Sequence, residues 1–166
     1  MRKQNSETVR DVSLPTNMKE FNERFAEQVI SSLMDFFAGY EQLPLAVESR
    51  DITVIEMEPG LMRFIILQQE STNNIATFVR IVNKIQSCCR DMFWAFLNNV
   101  GVDCAYTKYN NELAVLGVHR YVLKHIKNLQ RVFCDIKHLG ATIFGAKSEF
   151  CKNRLKAVGF ICYDKG

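Results

Sequence analysis

The chain is predicted to fold as an α+β domain, an antiparallel sheet with helices packed against one face. Three observations carry that prediction. Glu58-Pro59-Gly60 lies between two strand-like apolar runs, so the chain reverses there through a tight turn. A second pair of short apolar runs flanks Asn98-Asn99. From Asn74, and again ahead of Gly140, the apolar residues recur at helical rather than strand spacing. Hairpins separated by amphipathic helices give an antiparallel sheet with the helices segregated on one side.

Taken in order, residues 1–16 are polar and irregular. Asn17 is the expected N-cap of a first helix, in which Met18, Phe21, Phe25 and Val29 recur at helical spacing. Residues 31–37 read as a strand, Gly39 breaks it, and residues 43–47 are extended. Residues 52–57 and 61–67 form the first hairpin. Ile75, Phe78, Val79, Val82, Ile85 and Cys89 then share one face of a helix that should pack on the sheet. Residues 93–97 and 100–105 form the second hairpin. A long helix follows, with Val118, Tyr121, Val122, Ile126, Leu129, Phe133, Ile136 and Leu139 as its apolar stripe and Gly140 at its C-terminal end. Residues 141–144 and 155–162 close the chain as strands.

At 166 residues the chain is long enough for one domain with a sizeable core. Hydrophobic residues at 48% and charged residues at 23% are those of an ordinary globular protein. A net charge of +3 is too small to imply a nucleic-acid partner by itself. None of the six cysteines forms a C-x-x-C pair or stands at zinc-ligand spacing from His119, His125 or His138, so reduced and mostly buried thiols are expected. The N-terminus lacks the apolar core of a signal peptide, and no run approaches the ~20 apolar residues that span a bilayer. An intracellular protein without a membrane partner is the expectation.

Chemistry is concentrated at Asp35, a lone acid ending an apolar run, with Tyr40 five residues later beside Gly39. The segment Asp35-Phe36-Phe37-Ala38-Gly39-Tyr40-Glu41-Gln42 resembles the Asp-aromatic-x-x-Gly-Tyr-x-Gln segment in reverse transcriptases of gypsy-type LTR retrotransposons. Four further segments resemble that family in the same order. They are Thr8 to Pro15 ahead of the first helix, Leu67-Gln68-Gln69-Glu70 leading into the next helix, Gly145 to Cys151, and Val158-Gly159-Phe160-Ile161-Cys162. The resemblance implies a polymerase palm with partial fingers as a single domain over residues 1–166, with the thumb, ribonuclease H and integrase regions outside it. It also implies Mg2+ as cofactor and an RNA/DNA primer–template and dNTP as partners. Asp35 would be a catalytic carboxylate and metal ligand, and Phe36, Tyr40 and Gln69 nucleotide contacts. Lys147 would protonate the departing pyrophosphate, although a solvated lysine at a strand end explains it equally.

The departures are as informative. Where the family has an aromatic-Leu-Asp-Asp turn, this chain has Phe96-Leu97-Asn98-Asn99, so two neutral amides replace two carboxylates. Two-metal nucleotidyl transfer needs those charges, and losing them implies weak Mg2+ binding and a rate roughly a thousandfold lower or worse. Glu70 replaces a glycine and Gln68 a proline. Asn98, Asn99 and Glu70 are each one G-to-A transition away from the family residue, which suggests a relic altered by one mutational bias. Gln68 does not fit that account. An inactive reverse-transcriptase domain is the primary expectation. A non-enzymatic nucleic-acid-binding module and an active polymerase fragment completed by other chains remain alternatives.

Overall fold

The structure, a computed structural model, describes residues 5–6, 8–12, 15, 17–69, 71–88 and 92–163. Cys89, Glu70 and residues 13 and 14 of the expected fingers segment lie outside the described residues.

Helix α1 (Met18–Glu23) begins where expected. Asn17 is extended, and its side chain accepts a hydrogen bond from the Lys19 N–H at 2.8 Å, satisfying one open donor of the first turn. The helix ends before the apolar spacing does. Residues 24–27 turn, Glu27 takes a φ of 66°, and Val29 already belongs to the approach to strand β1 (Ser31–Asp35).

β1 lies in the interior of a four-stranded sheet. It pairs antiparallel with β5 (Asn99–Val102) on one edge and with β8 (Glu149–Lys152) on the other, and β4 (Phe93–Phe96) lies beyond β5. Sequence reasoning missed β8. Its residues show no in–out alternation, because it is an edge strand with three of four side chains exposed.

Strand alternation sorts the side chains of β1 onto two faces. Met34 and Phe36 meet Phe78, Val82 and Ile85 of α3 (Asn74–Cys88) and Leu129, Val132 and Ile136 of α4 (Arg120–His138). The two long helices thus cover one face. The other face is partly covered by α1 and by the hairpin of β9 (Arg154–Ala157) and β10 (Phe160–Tyr163), with Phe21, Phe25, Leu33, Trp94, Leu155 and Ala157 as its core. Trp94 is held there by its Nε1–H, which donates to the Phe21 carbonyl at 3.1 Å. Gly101 makes room for it: a Cβ at that position would meet Trp94 Cε2 at 2.4 Å, an overpacking the anchored indole cannot relieve.

Both helical faces differ in detail from their expected form. In α3, Phe78, Val79, Val82 and Ile85 are buried, but Ile75 in the first turn is 45% exposed. In α4, Ile126 and Phe133 are exposed while His125 and Val132 are buried, so the true inward face is rotated by about one residue. A histidine at the centre of that face hid it from an apolar count. Val118 precedes the helix, in β7 (Val118–His119), which pairs with β6 (Leu113–Val115). The Pro59-Gly60 hairpin is present but short, as β2 (Ile55–Met57) and β3 (Gly60–Met62). Residues 43–47 are not a strand: Pro44 makes a single bridge to Ile66, and α2 (Val47–Arg50) begins at once. Residues 155–162 are two strands around Val158-Gly159 rather than one. Cys104, Cys134, Cys151 and Cys162 are free thiols, and of these only Cys104 is fully buried; Cys134 and Cys151 are exposed, against expectation. No described helix is long and apolar enough to cross a membrane.

His125 ties the layers together. Its Nδ1 lies 3.2 Å from the Asp103 carbonyl, which can only accept, so Nδ1 carries the proton. Nε2, 2.7 Å from Ser32 Oγ, therefore accepts from that hydroxyl, and Ser32 Oγ in turn accepts from the Cys151 N–H at 3.0 Å. Burial lowers the His125 pKa, against the smaller opposing effect of the Asp103 carbonyl. The unfolded chain therefore takes up a proton first as pH falls. The stability contributed by neutral His125 is complete above about pH 6.5 and is lost as pH drops below that value. Urea midpoints at pH 7.5 and pH 5.5 should show this loss in the wild type and a flatter response in His125→Gln.

Candidate active site

The end of β1 and the β4–β5 turn build the site. Asp35 stands opposite Asn99 in the antiparallel register, and both side chains leave the sheet on the face shared with Leu33 and Gly101. The turn between β4 and β5 is Leu97-Asn98, and Leu97, not an asparagine, takes the positive φ of 52°. The tolerance of asparagine for left-handed backbone therefore does not explain this turn. What places Asn98 is its backbone carbonyl, which accepts from the Phe36 N–H at 2.9 Å.

The three side chains form a linear relay. Asn98 Nδ2 donates to Asp35 Oδ1 at 2.7 Å, and Asn99 Nδ2 donates to Asn98 Oδ1 at 3.3 Å. An ionised carboxylate only accepts, so its neighbour must offer the amide nitrogen. A hydrogen bond to a charged group contributes about 1.5–3 kcal/mol. The main chain of Asp35 is equally tied down. Its N–H donates to Ser148 Oγ at 3.3 Å, and its carbonyl accepts from the Phe144 N–H at 2.7 Å. Nothing in the sequence alone marked Ser148.

Magnesium needs several oxygen ligands, carboxylates foremost. These residues do not fit it: one carboxylate is present, and the group facing Asp35 Oδ1 is an amide nitrogen, a donor, in place of a second carboxylate. Among the described residues no three His, Cys, Asp or Glu side chains converge as a cation site.

The remaining predicted residues divide. Tyr40 is half-buried with its ring stacked on Phe78, 4.5 Å between centroids and 26° between planes, and burial raises the phenol pKa. Gly39 permits that approach, since a Cβ there would lie 3.0 Å from the Phe78 ring. Phe36 does not present its ring to the Asp35 side of the sheet. As the next residue after Asp35 it points to the opposite face, 5% exposed and edge-on to Phe78. Lys147 is exposed at the end of the 3-10 turn Gly145–Lys147, and its ammonium lies 5.2 Å above the Phe144 ring rather than on the Asp35 carboxylate. Gln69 is exposed in the turn before α3. Its neighbour Gln68 has a buried Nε2 with no hydrogen-bond partner among the described residues.

No protein-family model matches the chain, and no curated protein matches it. Solved structures do. A foamy viral protease–reverse transcriptase in complex with double-stranded DNA superposes with a TM-score of 0.83 at 18% identity, over 99% of this chain and 26% of that one. The same viral protein in complex with an RNA/DNA hybrid gives 0.81 at 18% identity, over 99% of this chain and 20% of that one. A further complex with double-stranded DNA gives 0.80 at 17%, covering 100% and 32%. The chain thus spans between a fifth and a third of the length of these proteins, and its fold is reverse-transcriptase-like.

Restoring the charges tests the relay. Asn98→Asp with Asn99→Asp removes the amide donor and sets three carboxylates side by side. In EDTA the double variant should melt on the order of 5 °C below the wild type. Millimolar Mg2+ should recover most of that loss in the variant and leave the wild type unmoved.

Proposed function

We propose that the chain is a reverse-transcriptase domain of gypsy-type retrotransposon descent, palm with partial fingers, that no longer performs two-metal nucleotidyl transfer. The observation that carries this reading is the Asp35–Asn98–Asn99 relay at the place where the resemblance puts three catalytic carboxylates. One formal negative charge cannot offset two closely spaced dications, and the amide nitrogen of Asn98 already donates to one oxygen of that single carboxylate. No step can be written through Mg2+ here. Lys147 keeps the position of a general acid but has no leaving group to protonate.

The foamy viral structures are complexes with double-stranded DNA and with an RNA/DNA hybrid, and the resemblance would put a primer–template on the face bearing Asp35. A surviving nucleic-acid-binding role is the second reading, and the intact two-faced fold favours it over a completed polymerase.

The test is a primer extension assay on an RNA template beside an anisotropy titration of the same primer–template at several salt concentrations. The reading expects salt-dependent binding at most, with no extension by the wild type and weak or no extension by the Asn98→Asp, Asn99→Asp variant. Robust extension by the unmodified chain overturns it and establishes the active-polymerase alternative.

A further inference from the structure

Helix α4 carries five Lys or Arg residues against one acid, Asp135, in a chain whose net charge is only +3. Their spacing is regular. Four of the five, Arg120, Lys124, Lys127 and Arg131, follow steps of four, three and four residues, and the exposed Cys134 and His138 continue their line, while Lys137 lies about 100° off it. At about 100° per residue all of these but Lys137 fall within roughly 40° of one line along the helix. That line runs opposite the buried residues His125, Leu129, Val132 and Ile136, and every side chain on it is exposed. Its cationic part, Arg120 to Arg131, is about 16 Å long, from the helical rise of 1.5 Å per residue.

Its first cation is partly neutralised: Arg120 pairs with Glu112 at 2.8 Å and lies over the Tyr109 ring. Lys124 Nζ donates to Tyr109 Oη at 3.4 Å. Asp135 lies about 60° to one side of the line. Lys127 and Arg131 form its centre.

We propose that this stripe is a second nucleic-acid contact surface, binding the phosphate backbone of a duplex without reading its sequence. Charge and shape argue for that partner. A straight row of cations with no large apolar side chain on it lacks the aromatic and aliphatic centre of a protein–protein interface. Duplex nucleic acid presents one negative charge per about 1.7 Å of axis, so a row about 16 Å long can lie along several phosphates at once. The surface is also separate from the candidate active site. Asp35 leaves the sheet on the face opposite α4, and the stripe is on the far side of α4 from the sheet, so a duplex held at Asp35 cannot reach it. The inference therefore stands whether or not the cleft binds a primer–template.

The experiment uses the whole chain and a fluorescent, blunt 20-base-pair DNA duplex with no primer terminus, titrated at several salt concentrations. Lys127→Glu with Arg131→Glu should weaken binding at least tenfold near 0.1 M salt. It should also make the slope of log affinity against log salt shallower by about 1.8, two phosphate contacts at 0.9 each. Lys19→Glu with Arg63→Glu changes the net charge equally on exposed positions away from α4 and should have a clearly smaller effect. Circular dichroism melts check that both variants fold. Unchanged affinity in the Lys127, Arg131 variant, or an equal loss in both pairs, overturns the proposal. Poly-glutamate displacing the duplex at equal charge concentration would overturn it in favour of an acidic protein partner. If stripe binding holds while a primer–template shows no preference over the blunt duplex, the cleft reading fails alone.

Discussion

Pairing of β1 on both edges is the constraint on which the rest of the molecule depends. Held between β5 and β8, the strand has one register available, and that register sends Ser32, Met34 and Phe36 toward α3 and α4 while Leu33 and Asp35 go the other way. A slip of one residue would bury the Asp35 carboxylate under two helices and expose Met34 and Phe36. Ser32 guards against it on the helical side, because its hydroxyl is committed to His125 and to the Cys151 N–H. Gly101 guards the opposite side, since only a glycine leaves room for Trp94 across from Leu33. The position of Asp35 is thus set by packing that has nothing to do with its own charge.

That independence lets the residues around Asp35 vary without disturbing the fold. Asn98 meets the Asp35 carboxylate with an amide, and Asn99 meets Asn98 with another, so the turn is more comfortable without metal than a cluster of three carboxylates would be. Elsewhere the ionic pairing is conventional: Arg24 pairs with Asp103 at 2.9 Å and lies 4.8 Å over the Trp94 ring, while Gln28 bonds the other Asp103 oxygen at 2.8 Å. Burial raises the Asp103 pKa, and Arg24 and Gln28 oppose that effect. Stabilising polar contacts are spread through the domain, and the Asp35 cluster is one among several.

Much of this was legible in the sequence. Pro59-Gly60, Asn17 and the α3 periodicity rest on local chemistry, and each marks its element where it stands. Asp35, Asn98 and Asn99 were placed together through the resemblance, and the register brings them into contact. What was not legible depends on long-range pairing. Residues 149–152 look like loop because an edge strand needs no alternation. His125 looks polar because the hydroxyl that permits its burial lies 93 residues away. The burial of the Phe36 ring against Phe78 was not read, because adjacency to Asp35 in sequence means the opposite face in a strand.

The central claim is that the Asp35 carboxylate is closed by Asn98 and does not gather divalent cations. Titrating Mn2+ into 15N-labelled chain while following side-chain amide signals tests it most directly. Asn128, whose Nδ2 donates to the Asp103 carbonyl at 3.0 Å away from the site, supplies the internal reference. The account predicts that the Asn98 and Asn99 signals broaden no more than that of Asn128 through millimolar Mn2+. Selective loss of the Asn98 and Asn99 signals at micromolar Mn2+ would contradict it.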